Sequence, residues 1–290
     1  MSRLDFWGTA VSAAVLAVAA MAMPASAAAE GAKCEPAKLA EKYPGIAKKT
    51  ILIGADGESP PYSMRDPKDF NHIIGVDADL TRAAFECFGG KFEFKLGGWS
   101  GLLPAVIAGQ ADAMWDNLYY TAERAKQVDY VLYMNAGTGA LVKKGNPKKI
   151  SAMDSVCGLT ATAGLGTVEE AAFRDQSAKC QAAGKPAVNI LTYPDIPAGT
   201  RLIQNDRADI LLSDLAIVDQ LSEQNPNAFQ RGFKVVSDFK IGVAVKKGND
   251  DLLKAVADAM EVLQANGTQK KIFEAYKVDP ALIVPTKIQH

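Results

Sequence analysis

Two stretches of this chain repeat almost word for word, GALVKKGNP at 139–147 and GVAVKKGND at 242–250. Each reads as an apolar strand that stops at a Lys-Lys-Gly-Asn turn. A chain that writes the same strand twice around one central block is expected to leave a first lobe, build a second, and return by an adjacent strand. The two strands would then flank a hinge. The competing reading is chance likeness between two short segments.

The rest of the pattern agrees with two lobes of one kind. TILIGAD (50–56) is a buried-strand run. Asp77 suits the N-cap of a helix in which Leu80, Ala83, Ala84 and Cys87 recur at helical spacing, and Gly89-Gly90 end it. KFEFKLG (91–97) alternates like a strand, GLLPAVIAGQ (101–110) is a short helix, and ADAMW (111–115) is the next strand. The same grammar returns in CGLTATA (157–163), the helix GTVEEAAFRDQSAKC (166–180), VNILTY, a short helix over 197–205, and ADILLSD (208–214). Thr167 and Glu170 have the spacing of a capping box. Alternating strand–helix–strand units imply an α/β fold, with a mainly parallel sheet flanked by helices. Residues 250–277 are helical, with an apolar stripe at Leu252, Leu253, Val256, Met260 and Leu263. The tail over 278–290 is expected to be extended, and residues 30–49 read as a polar N-terminal extension tied down at Cys34.

The N-terminus points to a compartment. Arg3, an apolar run over 10–23 and small residues at Ala25-Ser26-Ala27 have the form of a secretory signal peptide, so residues 1–29 are set aside from the fold. About 260 residues remain, enough for two modest lobes. A net charge of −1 gives no bulk attraction to nucleic acid or anionic lipid, so neither is expected as a partner. Four cysteines in an oxidising compartment favour disulfides. The pairing read here is Cys157 with Cys180 and Cys34 with Cys87; buried free thiols are the alternative. The cysteine spacing fits no zinc pattern and the chain has only two histidines, so neither a metal nor a cofactor is expected.

The segment ADAMWDNLYYTAER (111–124) is the richest in chemistry. A strand ends in polar and aromatic groups, and a threonine opens the turn that holds Arg124. Crevices beyond strand ends are where open α/β sheets bind ligands, and the planar fork of Arg matches a carboxylate. The segment reads as a receptor for a small carboxylated molecule, against the plainer reading of a surface arginine after a core strand.

ILIGADGESPPYS, GVDADL, GWSGLLPAVIAGQADA, TAERAKQVDY, GALVKKGNP and CGLTATAGLGTVEE, in this order and spacing, resemble the family 3 extracellular solute-binding proteins, the polar amino-acid receptors of ABC importers. The likeness runs from about residue 48 to 277. It implies a two-lobed periplasmic binding protein fold of type II: lobe 1 from 30–136 plus 242–290 and lobe 2 from 137–241. It also implies a periplasmic monomer with an amino acid or amine as ligand and an ABC permease in the inner membrane as partner. By that resemblance Arg124 binds the ligand α-carboxylate. Gly166 and Thr167 add backbone N–H donors, in keeping with the attraction of a helix N-terminus for anions. Asp214 takes the α-ammonium, and Ser59, beside Glu58, and Trp99 line the cleft. The chain departs from the family in having Asp116-Asn117, Tyr119 and Val168 where small or hydroxyl residues are usual. Asp116 and Glu58 then suggest a cationic ligand side chain, stacked on Trp99 or Tyr119, because surplus acids in a closed cleft are costly. The alternative for Asp116 is to cap the next turn or pair with Arg124. Trp115 is expected in the core. The rival functions are a periplasmic cyclohexadienyl or arogenate dehydratase-like enzyme, with Glu58, Asp116 or Glu169 as the acid, and a ligand-sensing module.

Overall fold

The computed structural model describes residues 33–290; the expected signal peptide lies outside the described residues. After a short helix α1 (Leu39–Lys42), the first lobe is organised around β1 (Thr50–Asp56), from which a small antiparallel sheet branches: β2 (Glu58–Ser59), β3 (Ser63–Arg65) and β4 (Ile73–Ile74). Then come α2 (Val76–Phe88), β5 (Lys91–Gly97), α3 (Trp99–Ile107), β6 (Ala113–Tyr119) and α4 (Ala122–Ala125). A long strand β7 (Val128–Lys143) leads into β8 (Thr160–Gly164), α5 (Val168–Ala182), β9 (Asn189–Tyr193), α6 (Ile196–Gln204), β10 (Ile210–Asp214) and α7 (Leu215–Gln224). A second long strand β11 (Phe229–Lys246) returns, followed by α8 (Asp250–Ala265), α9 (Thr268–Ala275) and β12 (Ile283–Gln289).

The main sheet has the order β5-β1-β6-β11-β7-β10-β8-β9, with β12 added on β7. Each end of it is parallel: β1 with β5 and β6, and β8 with β9 and β10. The two ends are the two lobes, and the antiparallel pair β7–β11 joins them. The repeated phrases are therefore one strand segment on each side of this crossing. Gly139 faces β10 through Ser213, and Gly242 faces β6 through Leu118. Both glycines answer to crowding. A Cβ on Gly242 would lie 2.6 Å from the carbonyl oxygen of Val131, and one on Gly139 would lie 2.9 Å from the Cβ of Val218.

Several expectations are corrected in detail. Asp77 is not the cap of α2. Gly75, with φ 127°, holds that place because a Cβ there would lie 2.3 Å from the Tyr62 carbonyl oxygen, and Asp77 is buried in the first turn. The polar extension before β1 is partly core: Tyr43 and Ile46 are buried, and the Tyr43 hydroxyl donates to Asp258 Oδ2 at 2.7 Å. The tail is extended only from Ile283, after a single 3-10 turn at Pro280–Leu282, and that strand is paired, running antiparallel to β7. Pro285, which has no N–H to give, falls where the register shifts between Ile283 and Lys287. Both disulfides form as expected, Cys34–Cys87 and Cys157–Cys180. The first fastens the N-terminal segment to α2. The second ties the turn before β8 to α5, closing a loop worth about 3 kcal/mol in unfolded-chain entropy.

The Gly242 contact gives a stability prediction. Gly242→Ala forces a methyl group against rigid backbone, and we expect a loss of about 1–3 kcal/mol, read as a lower urea midpoint. An unchanged midpoint would show that the two strands can move apart freely.

Candidate functional site

The carboxyl ends of β1, β6, β8, β9 and β10 converge on one cavity of ≈ 50 Å³. At about 10–15 Å³ per water it holds a handful of waters, the space of a small polar molecule rather than a peptide. Its wall includes Asp56, Ser59, Trp99, Asn117, Tyr119 and Arg124 from the first lobe and Thr167, Glu169, Tyr193, Asp195, Ser213 and Asp214 from the second. Asp56 and Asp195 also line a neighbouring outer groove of ≈ 290 Å³.

Arg124 is fixed by the turn that opens at Thr121, whose Oγ1 accepts the Arg124 amide at 3.2 Å. Its guanidinium donates to the Tyr119 carbonyl (Nη1, 2.7 Å) and, across the lobes, to the Gly166 carbonyl (Nη2, 2.8 Å). These bonds use two of the five N–H donors that a guanidinium carries, leaving donors for an anion. The Trp99 ring covers it, with Cζ 5.7 Å from the centroid, so this indole stacks on protein. Burial pulls the Arg124 pKa down, opposed by the charges of Tyr130 and Glu169.

Against this single guanidinium stand four carboxyl groups: Asp56, Glu169, Asp195 and Asp214. Asp56 is 2 %, Glu169 4 % and Asp214 3 % exposed, so each ionises at a cost. Burial raises Asp56 to about 6, with the Glu58 amide and the Ser59 hydroxyl (2.9 Å) holding it down and the charges of Glu58 and Asp195 adding to the rise. Burial, helped by the charge of Asp214, raises Glu169 to about 7. Burial raises Asp214 to about 6 against hydrogen bonds from Tyr119, Tyr62 and the Ala216 amide.

Arg124, Asp214, Thr167, Trp99, Tyr119, Asn117 and Ser59 thus meet in one cavity. Three other expectations fail. Asp116 is fully buried behind the wall: its Oδ2 accepts the Asp56 amide at 2.7 Å, and its carbonyl accepts the Trp99 indole N–H at 3.0 Å. Burial, then the charges of Asp56 and Asp77, push its carboxyl well up. Glu58 is exposed and borders the outer groove, not the cavity. Neither expected backbone donor is open: Glu170 Oε2 accepts the Gly166 amide at 2.7 Å and the Gly164 carbonyl accepts the Thr167 amide at 3.2 Å, while Thr167 Oγ1 accepts the Glu170 amide at 3.2 Å. The capping box is real, but its return bond lands one residue earlier and occupies the expected anion donor. Trp115 is in the core, as expected.

Sequence reading missed Asp56, Asp195 and Tyr193. Asp56 carried a signal, since it is the terminal acid of a strand, as Asp214 is. Asp195 is also the N-cap of α6, accepting the Ala198 amide at 2.7 Å. Asn117 sits in the left-handed region, at φ 46°, a conformation that Asn tolerates better than most residues. Its amide is held by Asp77 Oδ2 at 2.6 Å, and Asp77 Oδ1 accepts the Tyr133 hydroxyl at 2.5 Å. That break in the extended backbone separates Asn117, on the cavity wall, from Asp116 behind it.

The profile of the bacterial extracellular solute-binding proteins, family 3, matches residues 51–279. The chain belongs to this family. The L-cystine-binding protein TcyJ of Escherichia coli K12 is 31 % identical over 229 residues, covering 78 % of this chain and 82 % of that protein. Among solved structures of the family's fold, an ancestral arginine-binding protein bound to arginine aligns with a TM-score of 0.71 and 29 % identity. That match covers 78 % of this chain and 97 % of the other. The ancestral amino acid-binding protein AncCDT-1, a precursor of cyclohexadienyl dehydratase, aligns with a TM-score of 0.69 and 26 % identity over 82 % of this family 3 chain and 99 % of its own.

Burial raises Asp77 to about 7, against the Tyr133 and Asn117 hydrogen bonds. An unfolded Asp ionises near about 3.9, so between these values the folded chain binds the extra proton. The stability that this group contributes is fully present below about pH 4 and is lost as pH rises through about 7. We expect the Asp77 carboxyl carbon to titrate near pH 7 in ¹³C NMR. A midpoint near 4 would contradict this account of the buried carboxyl.

Proposed function

We propose that the protein is the substrate-binding component of an ABC importer and captures a small amino acid or related amine, with a cationic side chain favoured, by closure of two lobes. The observation that carries this reading is the charge imbalance of the cavity, one guanidinium facing Asp56, Glu169, Asp195 and Asp214. In the binding reading Arg124 takes the ligand carboxylate with its remaining N–H donors. The second lobe's Asp214 and Glu169 face the ammonium. Asp56 and Asp195, one from each lobe and both also bordering the outer groove, take the positive end of a longer side chain. Asp56 and Asp195 do here what the sequence suggested for Asp116 and Glu58. The likeness to proteins that bind cystine and arginine supports an amino-acid ligand.

The lobe division at 136/137 and 241/242 is part of the same proposal. It is supported by the breaks in β7–β11 register between residues 236 and 240 and between Ile241 and Gly242. Ligand contacts to both lobes favour the closed state, and the population shifts by the difference in affinity for the two states. A monomer secreted to the periplasm behind a cleaved leader, read by an inner-membrane permease, completes the proposal. No bond is made or broken.

A second reading has two observations in its favour. Glu169, raised to about 7, has the acidity of a general acid, and AncCDT-1 is a precursor of an enzyme. No histidine is among the cavity-lining residues. Incubation with arogenate or prephenate is expected to yield no aromatic product, and its appearance would replace the transport reading.

In calorimetry, Arg124→Ala is expected to abolish amino-acid binding; the ligand-free variant is expected to stay folded by circular dichroism but to melt lower, because the bonds to the Tyr119 and Gly166 carbonyls go with the side chain. Asp56→Asn is expected to weaken L-arginine and L-lysine about 10- to 100-fold, as for loss of a charged hydrogen bond of about 1.5–3 kcal/mol, and to spare neutral amino acids. An equal loss for neutral and cationic ligands would remove the cationic preference.

A further inference from the structure

The ligand cavity is small for an amino acid with a long side chain. Its ≈ 50 Å³ admits about 3–5 water-sized atoms, which the amino-acid head of a guest fills by itself. Whatever that head carries must lie elsewhere. Asp56 and Asp195 line both this cavity and the neighbouring outer groove of ≈ 290 Å³.

The groove has a guanidinium of its own. Arg65, at the end of β3, is placed in the way that Arg124 is. Each guanidinium lies over an aromatic ring, Arg65 with Cζ 4.4 Å from the Phe70 centroid and Arg124 with Cζ 5.7 Å from that of Trp99. Each is pinned by a carbonyl, Arg65 Nη1 donating to Phe70 at 2.9 Å and Arg124 Nη1 to Tyr119 at 2.7 Å. Each keeps further N–H donors and borders a space that also holds carboxyl groups. The Arg65 stem crosses Gly57, where a Cβ would lie 3.1 Å from Arg65 Cγ, so a glycine after Asp56 lets the side chain lie over the end of β1. Phe70 is 70 % exposed, and holding Arg65 gives that ring a role outside the core.

The acids of the groove are Asp56, Glu58 and Asp195. Among the described residues, the guanidinium of Arg65 has the ring and carbonyl of Phe70 as partners and none of these acids. Asp195 uses one oxygen on the Ala198 amide. A guanidinium open to an anion and carboxyl groups open to a cation, side by side, are the two partners that a zwitterionic head requires.

We propose that the outer groove is a second amino-acid-head subsite, in which Arg65 takes a carboxylate and Asp56 and Asp195 take an ammonium, so that the preferred guest is a short chain with an amino-acid head at each end. This rests on the amino-acid reading of the inner cavity and narrows it: the positive end of the longer side chain is an α-ammonium with a carboxylate beside it. A bare cationic tail would leave Arg65 without a counter-ion.

Calorimetry with three guests of one chain length tests this. 2,7-Diaminosuberate has a head at each end, 2,7-diaminoheptanoate lacks the distal carboxylate, and 2-aminosuberate lacks the distal ammonium. The wild-type protein is expected to bind diaminosuberate about 10- to 100-fold more tightly than either truncated guest, the range for one charged hydrogen bond. Arg65→Gln is expected to bring the ratio between diaminosuberate and diaminoheptanoate close to unity while keeping the preference for diaminosuberate over 2-aminosuberate. A merely structural role for Arg65 would weaken all three alike. Gly98 lines the same groove in extended conformation (φ −64°, ψ 139°), and a Cβ there meets nothing within 4 Å. Gly98→Leu is therefore expected to keep the ligand-free melting temperature and to weaken diaminosuberate about 10-fold or more by filling the groove. The proposal is overturned if the wild type binds diaminosuberate no better than diaminoheptanoate, if Arg65→Gln weakens the three guests by one factor, or if Gly98→Leu binds diaminosuberate as the wild type does. A wild type that binds L-arginine or L-lysine but not diaminosuberate removes the second subsite and leaves the amino-acid reading in place; one that binds no amino acid in a full panel overturns that reading itself.

Discussion

A carboxyl group taken out of water must be neutral, hydrogen-bonded or paired, and most of this molecule's ligand cavity is arranged around that requirement. Asp56, Asp77, Asp116, Glu169 and Asp214 are all buried. Each meets the requirement differently. Asp77 is served by a tyrosine hydroxyl and a backbone amide. Asp116 accepts the amide of Asp56 and thereby fixes the strand end that presents Asp56. Asp214 is served from the other lobe. Glu169 and Asp56 have local donors and a face on the cavity, and the Arg124 charge lies beside Glu169. Asp116, behind the wall, keeps one oxygen without a hydrogen-bond partner, whereas the acids on the cavity wall can still be compensated by whatever enters.

Much of the fold could be read before any coordinates. The twin phrases at 139–147 and 242–250 fall on the paired strands β7 and β11. The strand–helix alternation gives parallel ends, and both disulfides join the cysteines that were paired by position. The strands and helices are legible because they rest on periodicity, and Cys157–Cys180 because it closes a short loop; Cys34–Cys87, 53 residues apart, followed as the remaining pair. The tail was half legible: Pro285 suits extended chain, but Pro280 opens a 3-10 turn and the pairing with β7 had no local signal.

The site was legible to the level of elements and not to the level of atoms. Arg124 was found because a turn, a threonine cap and a guanidinium are local signals. Asp116 was misplaced because it was assigned from its place beside Asn117 ahead of the arginine turn, whereas its carboxylate is turned to the Asp56 amide of the neighbouring strand. Gly166 was assigned a donor role from the helix N-terminus alone. The competing acceptor, Glu170, was visible as a capping residue, but the amide that it would take was not. Tyr62 carried no signal at all. Its partner Asp214 lies 152 residues away, and only the meeting of two lobes connects them.

That connection bears on how such a receptor is selective. Interactions between lobes and interactions with ligand are worth the same in driving closure, but only the second kind can tell ligands apart. A lobe-to-lobe hydrogen bond raises affinity for every guest in proportion, since each needs the same closed state. An acid on the wall does the reverse: its charge carries a penalty that a suitably placed cation removes. Tyr62, Tyr119 and the Arg124–Gly166 bond belong to the first kind. Asp214, Glu169, Asp56 and Asp195 belong to the second. Substitutions among the tyrosines would therefore tune how tightly a receptor of this architecture holds its guests. Substitutions among the acids at the strand and helix ends would tune which guests it holds, without altering the sheet that carries both.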